Sequence, residues 1–280
     1  MELKNSPDEA VKLEHAFTID APEGIKVDPP IEIPAFTNQE PITVAIFDKV
    51  DEVLAACPDL MAKASDYQAT VKKVAAYIQD RPENRTKIDS LVKTQALPAF
   101  LKGSHGFGTQ KGGWSVAYVM GDYVKGSDIM ARAIVNFGGL WANVGKESTY
   151  FIGLTDSGKE LLSGDGIYEI RFTKDALPQN FANAFWSVTI YSVPDYHLIQ
   201  NDMKRYNLNN QSKLKMNKDG SMSIWIAAEK PKNVPQENWL PSAKGKGFSL
   251  NFRMYAPKKE VLDGSWFVPS IEKQASVGIK

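Results

Sequence analysis

Arg253 and Tyr255 stand two residues apart in FSLNFRMY, on the polar side of an alternating segment they share with Ser249 and Asn251. In FWSVTIY, Ser187, Thr189 and Tyr191 form the polar side in the same way. Where two such faces adjoin, a planar guanidinium flanked by phenols offers forked donors to a carboxylate or sulfate. The expected binding residues are therefore Arg253, Tyr255 and Tyr191, with Tyr206 or Trp239 at the rim of their cleft. The competing expectation makes Arg253 a brace, paired with a structural acid such as Glu169 or Asp263.

Other chemistry-bearing residues have structural readings of their own. Trp186 lies on the side of Val188 and Ile190, which assigns it to a core. Trp239 and Trp266 sit in NWLP and DGSWFVP, where an indole either plugs the end of a sandwich or lines a groove for a flat ligand. Asp156, Asp165, Asp219 and Asp263 each stand near glycine, as ordinary turn formers do. Converging in pairs, such acids would instead serve a glycosidase-like hydrolase. His15, His105 and His197 are isolated, so no metal site is expected. GxSxG is absent, and Ser104 beside His105 is no triad by adjacency alone. No catalytic residue is assigned. The single Cys57 reads as a small buried hydrophobe.

These residues need elements to hold them, and the hydrophobic period supplies three regions. Residues 1–36 form an extended, proline-rich lead-in, because prolines at 22, 29, 30 and 34 exclude a helix there. Alternating Ile25, Val27, Ile31 and Ile33 predict that this segment packs along the folded body. Residues 37–149 are mainly helical. Helices are expected from Asn38 to CPDL, over Asp66–Gln79, over Pro82–Ala96, and from Ser127 or Asp128 to Gly145. Between them, seven glycines in residues 101–126 indicate loop and short extended structure around WSVAYVM. GSHGFG has no lysine at the spacing of a phosphate-binding loop, so no nucleotide cofactor is expected.

From residue 150 the period falls to two. Tyr168, Ile170 and Phe172, then Trp186, Val188 and Ile190, then Met222, Ile224 and Ile226, then Phe248, Leu250, Phe252 and Met254 mark half-buried strands. Separated by Gly, Asn, Asp and Pro, they predict an antiparallel β-sandwich over 150–280. The fold class is α+β, a helical layer beside a C-terminal jelly-roll-like sandwich.

Charge narrows the partners. Lys and Arg total 33 and so do Asp and Glu, leaving no basic excess to draw nucleic acid or anionic lipid. No apolar run reaches the roughly 18 residues of a membrane-spanning helix. MELKNSPDEAVKLEH lacks the apolar stretch of a signal peptide, so the chain as it begins is not expected to be exported. An N-terminally shortened form is the alternative, and compartment and oligomeric state stay open.

Ordered segments of the C-terminal half resemble a known family. TDSGKELLSGDGIYEIRF (155–172), FWSVTIY (185–191), KRYNL (204–208), KDGSMSIWI (218–226), ENWLP (237–241) and FSLNFRMYAPKKEVLDGSWFVPSI (248–271) are similar to the domain of unknown function 1214. That domain is often found downstream of the domain of unknown function 1254. The resemblance implies a jelly-roll-like sandwich with helices packed beside it, and it implies no reaction. Binding of a small polar or saccharide-like ligand in the aromatic, Arg-bearing cleft is the function expected from the residues. The alternative is the glycosidase-like hydrolase.

Overall fold

Alternation in the C-terminal half has the consequence that elementary packing demands: two sheets bury one shared core. The computed structural model describes residues 7–18, 20, 22–24, 29–35, 43–57, 59, 61, 64–105, 108–118, 129–139 and 142–275. Two compact units divide the chain, residues 1–33 and residues 34–280.

In the first unit, Pro7–Ala16 forms helix α1, which corrects the expectation of an extended segment from residue 1 to 36. Proline is tolerated in a first turn, where its missing N–H has no helical partner, and the next proline comes only at residue 22. Asp8 near the start and His15 in the last turn suit the helix dipole. Residues 29–35 carry no regular structure, as their prolines require.

The second unit opens with a 3₁₀ turn at Val44–Lys49, whose Thr43 hydroxyl accepts from the Ala45 N–H, and continues into α2, Val50–Ala56. The expected start at Asn38 lies outside the described residues. Cys57 caps the end of α2 and is exposed, against the expectation of burial, because the helix terminates there at the surface. Helix α3 (Ala64–Asp80) packs on α4 (Pro82–Leu91). A bidentate Arg85–Asp48 pair, at 2.7 and 2.8 Å, ties α4 to the 3₁₀ turn.

Helical structure then runs past Ala96. A π segment, Val92–Ala96, leads into α5, Leu97–His105. Pro98 explains the widened turn: it has no N–H to bond four residues back, and its ring crowds the preceding carbonyl. Helix α6 covers Ile129–Gly139, and Phe137 meets Phe100 of α5 edge-on at 5.4 Å. The expected continuation of α6 to Gly145 is not observed, since residues 142–144 are irregular. No described helix is long and apolar enough to cross a membrane.

A hairpin of β1 (Thr109–Lys111) and β2 (Trp114–Val116) turns through Gly112 and Gly113, both at positive φ. It joins β3 (Ser148–Gly153), so the large sheet begins earlier than the change of period predicts. The remaining strands are β4 (Ile167–Phe172), β5 (Trp186–Ser192), β6 (Asn207–Asn209), β7 (Met222–Ala227), β8 (Trp239–Pro241), β9 (Phe248–Tyr255) and β10 (Glu272–Gln274). Six form one sheet in the order β1-β2-β3-β9-β5-β6, and four form the other as β10-β4-β7-β8. All pairings are antiparallel except β7 with β8.

The core lies between the sheets. Phe151, Trp186, Val188, Ile190, Leu250 and Phe252 face it from the large sheet, and Tyr168, Ile170, Phe172, Ile224 and Ile226 from the small one. Trp266 seals the core beside them, its indole N–H donating to the Ala176 carbonyl at 3.1 Å. The chain is thus α+β, N-terminal helices followed by a β-sandwich.

Candidate functional site

Because inward positions alternate with outward ones, β9 turns Ser249, Asn251, Arg253 and Tyr255 away from the core. Its neighbours on both sides bring matching residues to the same face. Register sets Tyr150 of β3 opposite Arg253, and Ser148 opposite Tyr255. On the other flank Ser187 opposes Arg253, Thr189 opposes Asn251, and Tyr191 opposes Ser249.

Arg253 does not reach straight across to Ser187. Its Nη1 donates to the Thr189 hydroxyl at 3.1 Å and its Nη2 to the Tyr191 hydroxyl at 3.0 Å. The guanidinium therefore leans along the strands over the Asn251–Thr189 pair, with its carbon 5.8 Å from the Tyr191 ring centre. Among the described residues no carboxylate forms an ion pair with it. The alternative brace to Glu169 or Asp263 is not found: Glu169 lies on β4 of the other sheet, and Asp263 caps its own turn through Ser265.

Tyr255 flanks Arg253 on the same strand, its ring stacked on Phe185 at 4.1 Å between centres. Burial raises its phenol above the ordinary tyrosine value, with the Arg253 charge acting against the shift and Tyr150 and Tyr191 adding to it. Tyr150 accepts a hydrogen bond from the Asn143 amide at 3.0 Å. Nothing in the alternation singled Tyr150 out, because it stands where the new period starts.

Two polar atoms on this face are buried without a hydrogen-bond partner among the described residues, Asn251 Oδ1 and Ser148 Oγ. Leaving such a group unpaired costs about 1–3 kcal/mol each. The face therefore combines a half-buried cation, phenols and unmet hydrogen-bonding capacity.

Tyr206 and Trp239 are not brought to it. Tyr206 lies just before β6, on the parity of core-facing Leu208, and its hydroxyl donates to Gln200 at 2.9 Å. Trp239 begins β8 in the other sheet, opposite Trp225, and its indole N–H donates to the Ala227 carbonyl at 2.9 Å. Trp186 is buried between the sheets, as its alternation predicts.

The acids are spent locally. Asp219 accepts from the Ser221 N–H and hydroxyl and pairs with Arg171 at 2.6 Å, Asp263 accepts from both groups of Ser265, and Asp165 accepts from the Gly245 N–H. Asp156 accepts from the Glu160 N–H. The serine hydrogen bonds hold Asp219 and Asp263 below the ordinary carboxylate range. A general acid needs the opposite shift.

A depression of about 500 Å³ opens past the end of β5, lined in part by Ser192, Asp195, His197 and Lys246. Ser192 donates to one Asp195 oxygen at 2.5 Å, and His197 Nδ1 lies 3.4 Å from the other. The acid sits in the middle of this trio. A nucleophilic triad needs the imidazole there, in contact with the hydroxyl it deprotonates. Among the described residues no group of His, Cys, Asp and Glu is arranged to hold a metal.

Residues 147–259 match the family described as Protein of unknown function (DUF1214). The sandwich is similar to the DUF1214 domain. That match covers β3 to β9 and so includes Arg253, Tyr191, Tyr255 and Tyr150. No curated protein matches the chain. The chain is similar in fold to the VPA0106 protein from Vibrio parahaemolyticus, with a TM-score of 0.52 at 20% identity, over 90% of this chain and 60% of that one. It thus spans under two thirds of the Vibrio protein. An uncharacterized protein from Burkholderia cenocepacia aligns over 84% of this chain and 54% of its own, at 13% identity and a TM-score of 0.30.

Proposed function

We propose that the outer face of the six-stranded sheet binds a small polar ligand, gripped by Arg253 between Tyr191 and Tyr255. The observation that carries this reading is the Arg253 guanidinium, half-buried and oriented by Thr189 and Tyr191, with no carboxylate paired to it among the described residues. A desolvated cation is ordinarily paired, and an exogenous polar group meets that need. Tyrosine rings add apolar contact area at small entropic cost, which suits a saccharide or a compact organic molecule. Hydrolysis by carboxylates of the sandwich loops has less support, since each of those acids serves a local turn.

Thermal unfolding of the chain against a panel of monosaccharides and small organic anions tests the proposal. A ligand that binds the folded state raises the midpoint in proportion to the logarithm of its concentration. The same compound is expected to lose its effect on Arg253→Lys, which keeps the charge but loses the fork. Equal stabilisation of both proteins overturns the site.

A further inference from the structure

Given the site proposed above, on which this inference rests, the donors and acceptors on this face specify a ligand class. Tyr191 and Thr189 accept from Arg253 through their hydroxyl oxygens, so each retains its own proton to donate. Arg253 has five N–H groups, of which the two bonds described use two. Donors therefore crowd around one spot, beside a full positive charge. The outward positions of β3, β5 and β9 that surround it, alternating along each strand, include no acidic residue. Such a spot suits an oxyanion.

Asn251 adds the opposite requirement. It lies two residues from Arg253 on the same face, about 7 Å along the strand, and the guanidinium leans toward it. Its Oδ1 can only accept, and it is buried without a partner among the described residues. Ser148, 1% exposed and also on this face, has a hydroxyl with no partner among the described residues. A bare anion would answer Arg253 and leave Asn251 unmet. A neutral sugar would answer Asn251 and leave the charge uncompensated.

We infer that the ligand is a hydroxy carboxylic acid of the sugar-acid class, its carboxylate on Arg253, Tyr191 and Thr189 and a hydroxyl proton donated to Asn251. The two parts of this assignment separate experimentally. Titration calorimetry on the full chain would use glucuronate, glucose and cyclohexanecarboxylate, which present acid with hydroxyls, hydroxyls alone, and acid alone on rings of equal size. Glucuronate is expected to bind at least about tenfold more tightly than either comparator. Asn251→Leu should abolish the preference over cyclohexanecarboxylate, and Arg253→Lys the preference over glucose. Circular dichroism and unfolding midpoints establish that both variants are folded.

Equal binding of glucose and glucuronate, with both weakened by Tyr191→Phe, overturns the acid assignment and leaves the site standing. Equal binding of cyclohexanecarboxylate and glucuronate to the unaltered chain overturns the role of Asn251. Absence of binding by all three at millimolar concentration overturns this inference. The site itself then fails only if the wider panel of sugars and anions also leaves the unfolding midpoint unmoved.

Discussion

The rings of Phe252 and Trp186 lie 5.5 Å apart and within 7° of parallel, one from each of two neighbouring strands of the large sheet. Phe252 also meets Trp114, Phe151, Phe172 and Trp266, so it joins both sheets and the plug into one aromatic cluster. Replacing it by alanine removes the centre of that cluster, and the surrounding rings are too large to collapse into the space. Phe252→Ala is expected to cost about 3–5 kcal/mol in denaturant unfolding. A loss below about 1 kcal/mol would show that the site relaxes freely.

On the opposite face of the same sheet, Tyr191 of β5 holds Arg253 of β9 through its hydroxyl. Tyr191→Phe removes one oxygen and keeps the ring under the guanidinium. Stability should change by no more than about 1.5 kcal/mol, while affinity for the proposed ligand falls several-fold. Calorimetry and unfolding on the one variant read both quantities, and unchanged affinity would remove Tyr191 from the site.

Asp219 predicts a response to acid. Its folded-state pKa is depressed, by the Ser221 hydrogen bonds first and Arg171 after them. A depressed carboxylate contributes stability above its unfolded value, about 3.9, and loses it as pH falls through the folded value. Asp219→Asn keeps an acceptor for Ser221 but no charge. The difference between it and the unaltered chain should be largest near neutrality and vanish at the acid end of a pH series of unfolding curves.

Gly164 is held against a neighbouring loop. A Cβ there would stand 1.8 Å from the Ala243 carbonyl oxygen, which is backbone and cannot swing aside. Its N–H also donates to the Lys246 carbonyl at 2.8 Å. Gly164→Ala is expected to cost about 1–3 kcal/mol by overpacking, measured as a shift in the denaturant midpoint at constant slope.

Alternation in FSLNFRMY and FWSVTIY was enough to divide each strand into a core side and an outer side. A side chain's face follows from its parity alone, which is a local property of extended backbone. That is why the burial of Phe252 and Trp186, and the outward placing of Arg253, Tyr255 and Tyr191, were legible in the chain. The turn roles of the glycine-flanked acids were legible too, because Ser221, Ser265, Glu160 and Ser163 bond them from within a few residues, whereas the reach of Asp219 to Arg171 and of Asp165 to Gly245 was not.

Parity says nothing of which strands lie side by side. The order β3-β9-β5 sets strands from residues 148, 248 and 186 next to one another, and only the packed core selects it. So the contact of Arg253 with Thr189 and Tyr191, and the presence of Tyr150, were decided by tertiary structure. Trp239 was separated from the site for the same reason, its strand pairing with β7 in the other sheet, while Tyr206 reached the right sheet on the wrong parity. Local spacing determined the faces of this protein, and long-range pairing, which no local spacing encodes, decided what those faces bring together.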